Sequence, residues 1–289
     1  MASLITLKRR INSVKNTRQI TKAMQLVSAS KLRRAQEYAN RSLAYQELAY
    51  HLLSNLSAMN EVANLPLFEK RSVKNRLYLI VTSNTGLAGA YNANVLKLLN
   101  QSLTADAHDK VKSHVITIGS KGAQFVRRLS GVDLLAVYPP FEDQPKIDDI
   151  RPLLNTIMAK FQDQSIDDIR IIYTVFKSVV VQQATILQLL PTPLLATDQS
   201  SSVAISNFEP DVETVSQQVV TRLVEAQIWQ AVLESLASEH AMRMVATKNA
   251  TDNANELIDD YSLALNTARQ AAITQELAEI SGGVEALNG

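Results

Sequence analysis

Proline and glycine, the residues that interrupt helices, are missing from both ends of this chain. All eight prolines lie between Pro66 and Pro210, and five of the eight glycines fall in the same stretch, with the other three in the last eight residues. Residues 1–65 and 211–281 therefore contain neither helix breaker. At 1.5 Å per residue, a single helix over either segment would be roughly 100 Å long, several times the width of a small domain.

Apolar residues recur at intervals of three and four in both end segments. They are Tyr45, Leu48, Leu52, Leu56 and Met59 in the first segment, and Val219, Leu223, Ala226, Trp229, Leu233, Leu236, His240 and Met244 in the last. This spacing places one apolar stripe along an α-helix. Because each stripe is long and uninterrupted, the pattern favours a coiled coil over packing on a compact core.

Between the two ends, short apolar runs alternate with helical patterns. The predicted strands are Leu77–Ser83, His114–Ile118, Val132–Tyr138, Ile169–Phe176 and Ala184–Leu190, and the predicted helices are Tyr91–Leu103, Lys121–Leu129 and Ile147–Phe161. Alternating strands and helices indicate right-handed crossovers and a largely parallel sheet covered by helices. Too few residues separate the last two strands for a helix, so we expect them to form an antiparallel hairpin.

These patterns predict an α/β protein with three parts. Residues 1–65 and 210–289 are predicted to form two long terminal helices that pair as an antiparallel coiled coil, and residues 66–209 a Rossmann-like α/β domain inserted between them. A domain of that length is of ordinary size.

Charge is segregated along the chain, although the total is only +1. Residues 1–60 carry ten basic and two acidic residues, a net charge of +8, whereas residues 208–289 carry four basic and thirteen acidic residues, a net charge of −9. Oppositely charged helices are expected to pair with each other. Exposed ion pairs contribute only about 0–1 kcal/mol each, so apolar packing must supply most of the stability.

Composition excludes several classes of site. The chain has no cysteine, and so no disulfide, thiolate metal site or cysteine nucleophile. Its apolar runs fall far short of the roughly 20 residues that span a bilayer, and no transmembrane helix is expected.

Two glycine-containing turns follow predicted strands, where α/β proteins often bind phosphate. Thr82–Gly89 lacks the glycine spacing of a dinucleotide-binding loop and the lysine of a P-loop, and Gly119–Gly122 is short. A structural turn is therefore the favoured interpretation at both places. Binding of a nucleotide or another anion remains the alternative.

Residues with catalytic chemistry are sparse. The four histidines are scattered without metal-ligand spacing, and packing explains His240, which lies on the apolar stripe. The acidic pairs Asp148–Asp149 and Asp167–Asp168 flank predicted helix and strand starts, where solvated caps explain them better than acid–base catalysis. The sequence therefore predicts no catalytic residue, metal or cofactor.

A run of basic residues occupies the first helix and could bind nucleic acid. It comprises Lys8, Arg9, Arg10, Lys15, Arg18, Lys22, Lys31, Arg33 and Arg34. Few aromatic residues are interleaved with it, so an acidic protein partner or the acidic C-terminal arm accounts for it better.

Three sets of residues resemble the gamma subunits of F-type ATP synthases. They are Leu7–Ile11, Ser13–Thr17 and Ile20–Arg34 at the N-terminus, Thr82–Ser83, Gly86–Leu87, Gly89 and Asn92 in the centre, and Leu236–Glu239, Arg243–Ala246, Ala250–Asn253 and Ala268–Ile280 at the C-terminus. The resemblance covers essentially the whole chain and is of the bacterial type. The chain departs from the family at Asn84 and Thr85, where an acidic and then a basic residue are usual, and at Val284 and Glu285, where small residues are usual.

The resemblance implies a rotor. In this family the paired helices turn inside a hexamer of three alpha and three beta subunits, and the α/β domain lies at the foot against the epsilon subunit and the ring of c subunits. ATP is made or hydrolysed on beta, so the chain itself would be non-catalytic. It would lie at the cytoplasmic face of the cell membrane, held there through the complex, with no nucleic acid partner.

The resemblance also implies particular contacts. Those with beta would involve Met24, Lys31, Arg33, Arg34, Arg269, Gln270 and Thr274. Those on the side of the c ring and epsilon would involve Phe208, Glu209 and Asp211.

Overall fold

The computed structural model describes residues 4–57, 67–69, 71–141, 145–193 and 212–288. In chain order the elements are α1 (Leu4–Ser57), β1 (Asn75–Val81), α2 (Tyr91–His108), β2 (Lys112–Ile118), α3 (Ser120–Val126), β3 (Asp133–Tyr138), α4 (Arg151–Gln162), β4 (Asp168–Phe176), β5 (Gln182–Leu190) and α5 (Val212–Asn288). A short 3₁₀ turn, Ile147–Ile150, leads into α4.

The two long helices are confirmed. Helix α1 has 54 residues and α5 has 77. Helix α5 runs beyond the breaker-free segment, through Gly282 and Gly283, to Asn288. A glycine inside a helix costs only about 0.5–1 kcal/mol relative to alanine, and that is too little to end a helix of this length.

The five strands form one sheet in the order β3-β2-β1-β4-β5. Strand β1 pairs in parallel with both β2 and β4, and β2 pairs in parallel with β3. Strand β5 is antiparallel to β4, as the short connection between them predicts. The mixed α/β fold class is therefore confirmed.

Successive residues of β1 point into two separate cores. Leu77, Leu79 and Val81 join a cluster shared with α4 and α5, whereas Tyr78 and Ile80 join a cluster shared with α2 and α3. Helices thus cover both faces of the sheet, and its central strands are buried on both sides.

The chain divides into two compact units. The helix-pair unit comprises residues 1–28 and 244–289, and the sheet unit comprises residues 29–243. The predicted domain boundaries at residues 65 and 209 lie outside the described residues, so the three-part division stays a prediction.

In the helix-pair unit the two helices run antiparallel. Arg18 Nη1 donates to Asn255 Oδ1 at 3.3 Å, and the hydroxyl oxygens of Thr21 and Thr251 are 2.8 Å apart. Partner numbers on α5 fall as those on α1 rise, which is the mark of antiparallel pairing. Most of the buried residues along this seam are small; they include Thr21, Ser28, Thr247, Thr251 and Ala254, with Leu7, Ile11 and Ile258 as the larger ones.

In the sheet unit α5 is buried on several sides. Its buried apolar residues include Val220, Leu223, Val224, Ala226, Ile228, Trp229, Ala231, Val232 and Leu233. They join the cluster beneath the sheet, which also contains Ala39 of α1. The sequence stripe predicts a single buried face here. The structure adds further buried faces because this part of α5 packs on the sheet as well as on α1.

Candidate partner-binding surfaces

The turn at Gly119 is built by close packing against the end of β1. Gly119 has φ +89°, and a Cβ atom there would lie 2.1 Å from the carbonyl oxygen of Thr82. A Cβ on Gly122 would lie 2.8 Å from Ile80 Cδ1. Gly119 therefore requires glycine for structural reasons, whereas a side chain at Gly122 would have to displace the side chains of Ile80 and Thr82.

The backbone N–H groups that could hold an anion at the start of α3 already have partners. The N–H of Ser120 donates to Asn84 Oδ1 at 2.8 Å, that of Lys121 to the Ser83 carbonyl at 3.1 Å, and that of Gly122 to Thr82 Oγ1 at 2.9 Å. The geometry supports the structural-turn interpretation and leaves no open donors for phosphate at these three positions.

Helix α5 closes the crevice where an open α/β sheet would bind a ligand. The pairing of β1 with β4 ends at Ile172, and beyond it the Thr174 N–H donates to Ser235 Oγ at 3.1 Å. Ser238 Oγ donates to the Thr174 carbonyl at 3.2 Å. A cavity of about 20 Å³ remains at the ends of β1 and β2, enough for one water molecule. A nucleotide does not fit there.

The acidic pairs divide into caps and a buried carboxylate. Asp149 Oδ2 accepts from the Lys146 N–H at 2.8 Å, and Asp167 Oδ2 accepts from the N–H groups of Lys74 and Asn75 at 2.8 and 2.9 Å. These confirm the predicted capping role. The interpretation of Asp168 as solvated is wrong, because Asp168 is 4% exposed.

Asp168 belongs to a charged network that the sequence did not reveal. Its carboxylate accepts two bonds from the Arg170 guanidinium, at 2.8 and 3.0 Å, and lies 3.3 Å from Arg76 Nε. Arg76 also pairs with the buried carboxylate of Asp106. No local pattern signals this network, since its members come from separate elements.

Asp106 holds the network together from the end of α2. It accepts from the Tyr78 hydroxyl at 2.8 Å and from Ser113 Oγ at 2.9 Å. Burial and the hydrogen bond to this carboxylate raise the pKa of Tyr78 to about 12. The network joins the starts of three strands and is structural.

A second buried polar cluster joins α5 to the turn after β1. Arg243 Nη2 pairs with Glu239 Oε1 at 2.7 Å and donates to Thr85 Oγ1 at 3.0 Å. Burial raises the pKa of Glu239, and the positive charges of Arg243 and Lys31 oppose that rise. His240 is 6% exposed, which confirms the packing interpretation. Thr85 thus receives an arginine donor where the family usually places a basic residue.

The predicted beta-facing residues of α1 fall in different surroundings. Met24, in the helix-pair unit, is half-buried, and so is Lys31, in the sheet unit. Arg33 and Arg34 are exposed, and Arg33 Nε lies 3.5 Å from Glu37 Oε1. Both arginines therefore present positive charge at the surface of the chain.

The predicted beta-facing residues of α5 lie together on an exposed stretch. Arg269, Gln270 and Thr274 are all exposed, and the Thr274 hydroxyl donates to the Gln270 carbonyl at 3.0 Å. Helical spacing makes Gln270 and Thr274 neighbours on one face of α5, whereas Arg269 points about 100° away from Gln270. The predicted contact residues Phe208, Glu209 and Asp211 lie outside the described residues.

An exposed apolar stripe follows the same stretch. It consists of Ile273, Leu277, Ile280 and Val284, which are 49%, 60%, 63% and 54% exposed. Their intervals of four, three and four residues keep them on one face of α5. Large apolar side chains repeated along one exposed face mark a surface that binds a partner.

Within the described residues, no group of three or more histidine, aspartate or glutamate side chains is placed to hold a metal ion. No helix in that part of the chain is long and apolar enough to cross a bilayer.

Comparison with known proteins gives consistent matches. The family model described as ATP synthase matches residues 3–287. An ATP synthase gamma chain of Macrococcus caseolyticus is 40% identical over 99% of this chain and 100% of its own length. One from Staphylococcus aureus is 38% identical with the same coverage.

Solved structures share the fold. A chain from the Euglena gracilis mitochondrial ATP synthase, titled as OSCP/F1/c-ring, has a TM-score of 0.70 at 18% identity and covers 98% of this chain and 94% of that one. A chain from the Tetrahymena thermophila enzyme, titled as central stalk/c-ring, has a TM-score of 0.59 at 19% identity and covers 80% and 99%. The full-length sequence matches, together with this fold, establish that the chain belongs to the ATP synthase gamma chain family.

Proposed function

We propose that this chain is the central-stalk rotor of an F-type, proton-translocating ATP synthase. It would couple ion flow through the membrane ring to ATP synthesis or hydrolysis on the beta subunits by rotating inside the alpha/beta hexamer. The observation that carries this proposal is the exposed apolar stripe on α5, Ile273 to Val284. In a family of ATP synthase subunits, we expect other subunits to surround such a helix and bury its exposed apolar side chains.

The chain itself would be non-catalytic and without a cofactor. The donors at the Gly119 turn are occupied and the crevice at the end of β1 is filled by Ser235 and Ser238. Nucleotide chemistry would then belong to the beta subunits. Rotation can change their binding states only if the rotor contacts each state differently, which an asymmetric helix pair can do.

The proposed partners are three alpha and three beta subunits, the epsilon subunit and the c ring, with no nucleic acid. The Euglena and Tetrahymena structures are of F1, c-ring and central-stalk parts of those enzymes, which supports the same assembly here. The chain would lie peripherally at the cytoplasmic face of the cell membrane. Its sheet unit would lie at the foot, with the predicted contact residues Phe208, Glu209 and Asp211 on the side of the ring.

We further propose two sets of beta contacts. Arg269, Gln270 and Thr274 would meet a loop of beta, and the exposure of all three on α5 supports this contact. Met24 and the cations Lys31, Arg33 and Arg34 would lie near an acidic segment of beta. The exposed positive charge of Arg33 and Arg34 supports that second contact.

The experiment compares two double variants in the reconstituted complex. Replacing Arg269 and Gln270 by alanine should lower ATP-driven proton pumping per ATP hydrolysed, because rotor and beta would lose a contact. The control replaces Arg127 and Arg128, exposed arginines at the end of α3 that have no proposed role. Unchanged pumping in the first variant would contradict the α5 contacts. Failure of the chain to assemble with alpha and beta at all would contradict the rotor itself.

A further inference from the structure

Side chains of α5 cap the part of β4 that extends beyond β1. The pairing of β4 with β1 ends at Ile172, and the Thr174 N–H donates instead to Ser235 Oγ at 3.1 Å. Two residues further along β4, the Phe176 N–H is close enough to act on the carboxylate of Glu234. An ionisable side chain therefore stands in this row, beside a serine.

The two carboxylate oxygens of Glu234 differ in their surroundings. Oε1 accepts from Gln230 Nε2 at 2.9 Å, and Gln230 Oε1 accepts from the hydroxyl of Ser42 at 2.5 Å, so a chain of hydrogen bonds joins α5 to α1. Oε2 is buried and has no hydrogen-bond partner among the residues that the structure describes. A buried oxygen without a partner makes this carboxylate a poor place for a negative charge.

No positive charge compensates for this burial among the described residues. The titratable and charged groups at matching positions of the packed elements are Tyr38 and Arg41 on α1 and Lys177 after β4, and none of them shifts the pKa of Glu234. Arg41 and Lys177 are both exposed. Burial raises the pKa of Glu234, and the hydrogen bonds that it accepts oppose that rise only in part.

We propose that Glu234 is a pH-sensitive contact that holds the end of β4 and the middle of α1 on α5. As a neutral acid the side chain stays in place. Once ionised it must be hydrated, and water reaches Oε2 only when one of the covering elements moves away. Loss of the proton is therefore coupled to local opening of the sheet unit, and this coupling does not depend on the proposed function.

The direction of the pH effect follows from the difference in proton affinity between the closed and the open contact. In the open form Glu234 titrates near its ordinary pKa of 4.5, whereas the closed form holds the proton more tightly. The contact is therefore strongest below pH 4.5 and weakens as the pH rises towards the raised pKa of the closed form. Within that window the equilibrium constant for opening should increase by up to tenfold per pH unit.

The experiment measures hydrogen exchange in the full-length chain, in the segment around Phe176, at several pH values from 4.5 upward. Glu234→Gln keeps the size of the side chain and a carbonyl oxygen but cannot ionise. The ratio of exchange rates, parent over variant, cancels the intrinsic pH dependence of exchange. It should rise with pH by up to tenfold per unit and then level off. The matched control Glu256→Gln, at an exposed glutamate of the same helix, should give a ratio that does not change with pH.

A second variant keeps the glutamate and supplies a charge. Gln230 Nε2 already reaches Glu234, so Gln230→Lys places an ammonium group beside the carboxylate, and the rise should disappear. A rise that persists in this variant, or a constant ratio of parent to Glu234→Gln, would overturn the proposal. So would a rise of the same size in α2, since ionisation would then unfold the whole sheet unit instead of opening one contact.

Discussion

One helix, α5, has two surroundings in this molecule. From Val220 to Leu233 it is buried beneath a sheet and lined by large apolar side chains, whereas between Leu263 and Val284 most of its large apolar side chains are exposed. The apolar spacing of the two stretches is similar, so spacing alone does not decide burial. Burial depends on which other surface each stretch can pack against. The sheet covers the stretch from 220 to 233, and we infer that other subunits cover the stretch from 263 to 284.

The largest effect should come from the buried stretch. Leu233 is fully buried, and Leu233→Ala should lower the free energy of unfolding by about 3 kcal/mol through lost contacts and a cavity. The matched change Leu263→Ala, at a side chain that is 70% exposed, should stay within about 0.5 kcal/mol. Urea unfolding followed by fluorescence of the single tryptophan, Trp229, and by circular dichroism compares them. Equal losses of unfolding free energy in the two variants would contradict the difference in burial between the two stretches.

The same contrast extends to a matched pair of serines. Ser235 accepts from the Thr174 N–H of the sheet, and Ser235→Ala should cost about 2 kcal/mol because that buried donor loses its partner. Ser262, in the helix-pair unit, donates only to a carbonyl of its own helix, Ile258, at 2.6 Å. Ser262→Ala should be neutral or slightly stabilising, since alanine is the better helix former. Thermal unfolding of both variants against the parent measures the difference.

A smaller effect with a defined pH dependence is expected at Tyr78. Tyr78→Phe removes one hydrogen bond to Asp106 and should cost about 1.5 kcal/mol near pH 8. The pKa of Tyr78 rises from 10 in the unfolded chain to about 12 in the fold, so the folded state holds this proton more tightly. Its contribution is complete below pH 10 and is lost as the pH rises towards about 12.

The advantage of the parent over Tyr78→Phe should therefore shrink between pH 10 and about pH 12. Urea midpoints measured in parallel across that range test it. A constant difference would mean that the phenol is not held by the carboxylate network. Such a result would mean that this buried polar network does not add to the stability of the sheet unit.

The smallest effect is expected at an exposed side chain of the sheet unit. It tests whether the cost of removing a side chain depends on its burial or on the unit in which it lies. Arg33 lies in the sheet unit, yet its side chain is 85% exposed and, among the residues that the structure describes, pairs only with Glu37, one turn along the same helix. Arg33→Ala should change the free energy of unfolding by no more than about 0.5 kcal/mol. A loss comparable to that of Leu233→Ala, by the same urea titration, would show that position in the sheet unit matters more than burial.

Local patterns predicted the elements of this fold well. Five short apolar runs became five strands with ends displaced by at most two residues, because alternation and turn residues act within a few positions. The antiparallel β4–β5 pair followed from the shortness of its connection alone. The two long helices followed from the absence of breakers.

Features that depend on residues far apart in the chain could not be predicted from the sequence. Asp106 pairs with Arg76, which lies 30 residues away on another element, and neither position carries a local signal. The burial of α5 on several sides depends on its packing against the sheet. The apolar spacing along α5 does not predict where the sheet lies. The predicted beta contacts came from resemblance, and the structure adds the exposure of Arg269, Gln270 and Thr274.

Hydrogen exchange at the two stretches of α5 tests the rotor account most directly. In the isolated chain, amides from 263 to 284 should exchange quickly and those from 220 to 241 slowly, since only the second stretch is packed. After assembly with alpha and beta subunits, the account predicts strong protection of residues 263–284 and little change at 220–241. Equally fast exchange of residues 263–284 in the assembled complex would contradict it.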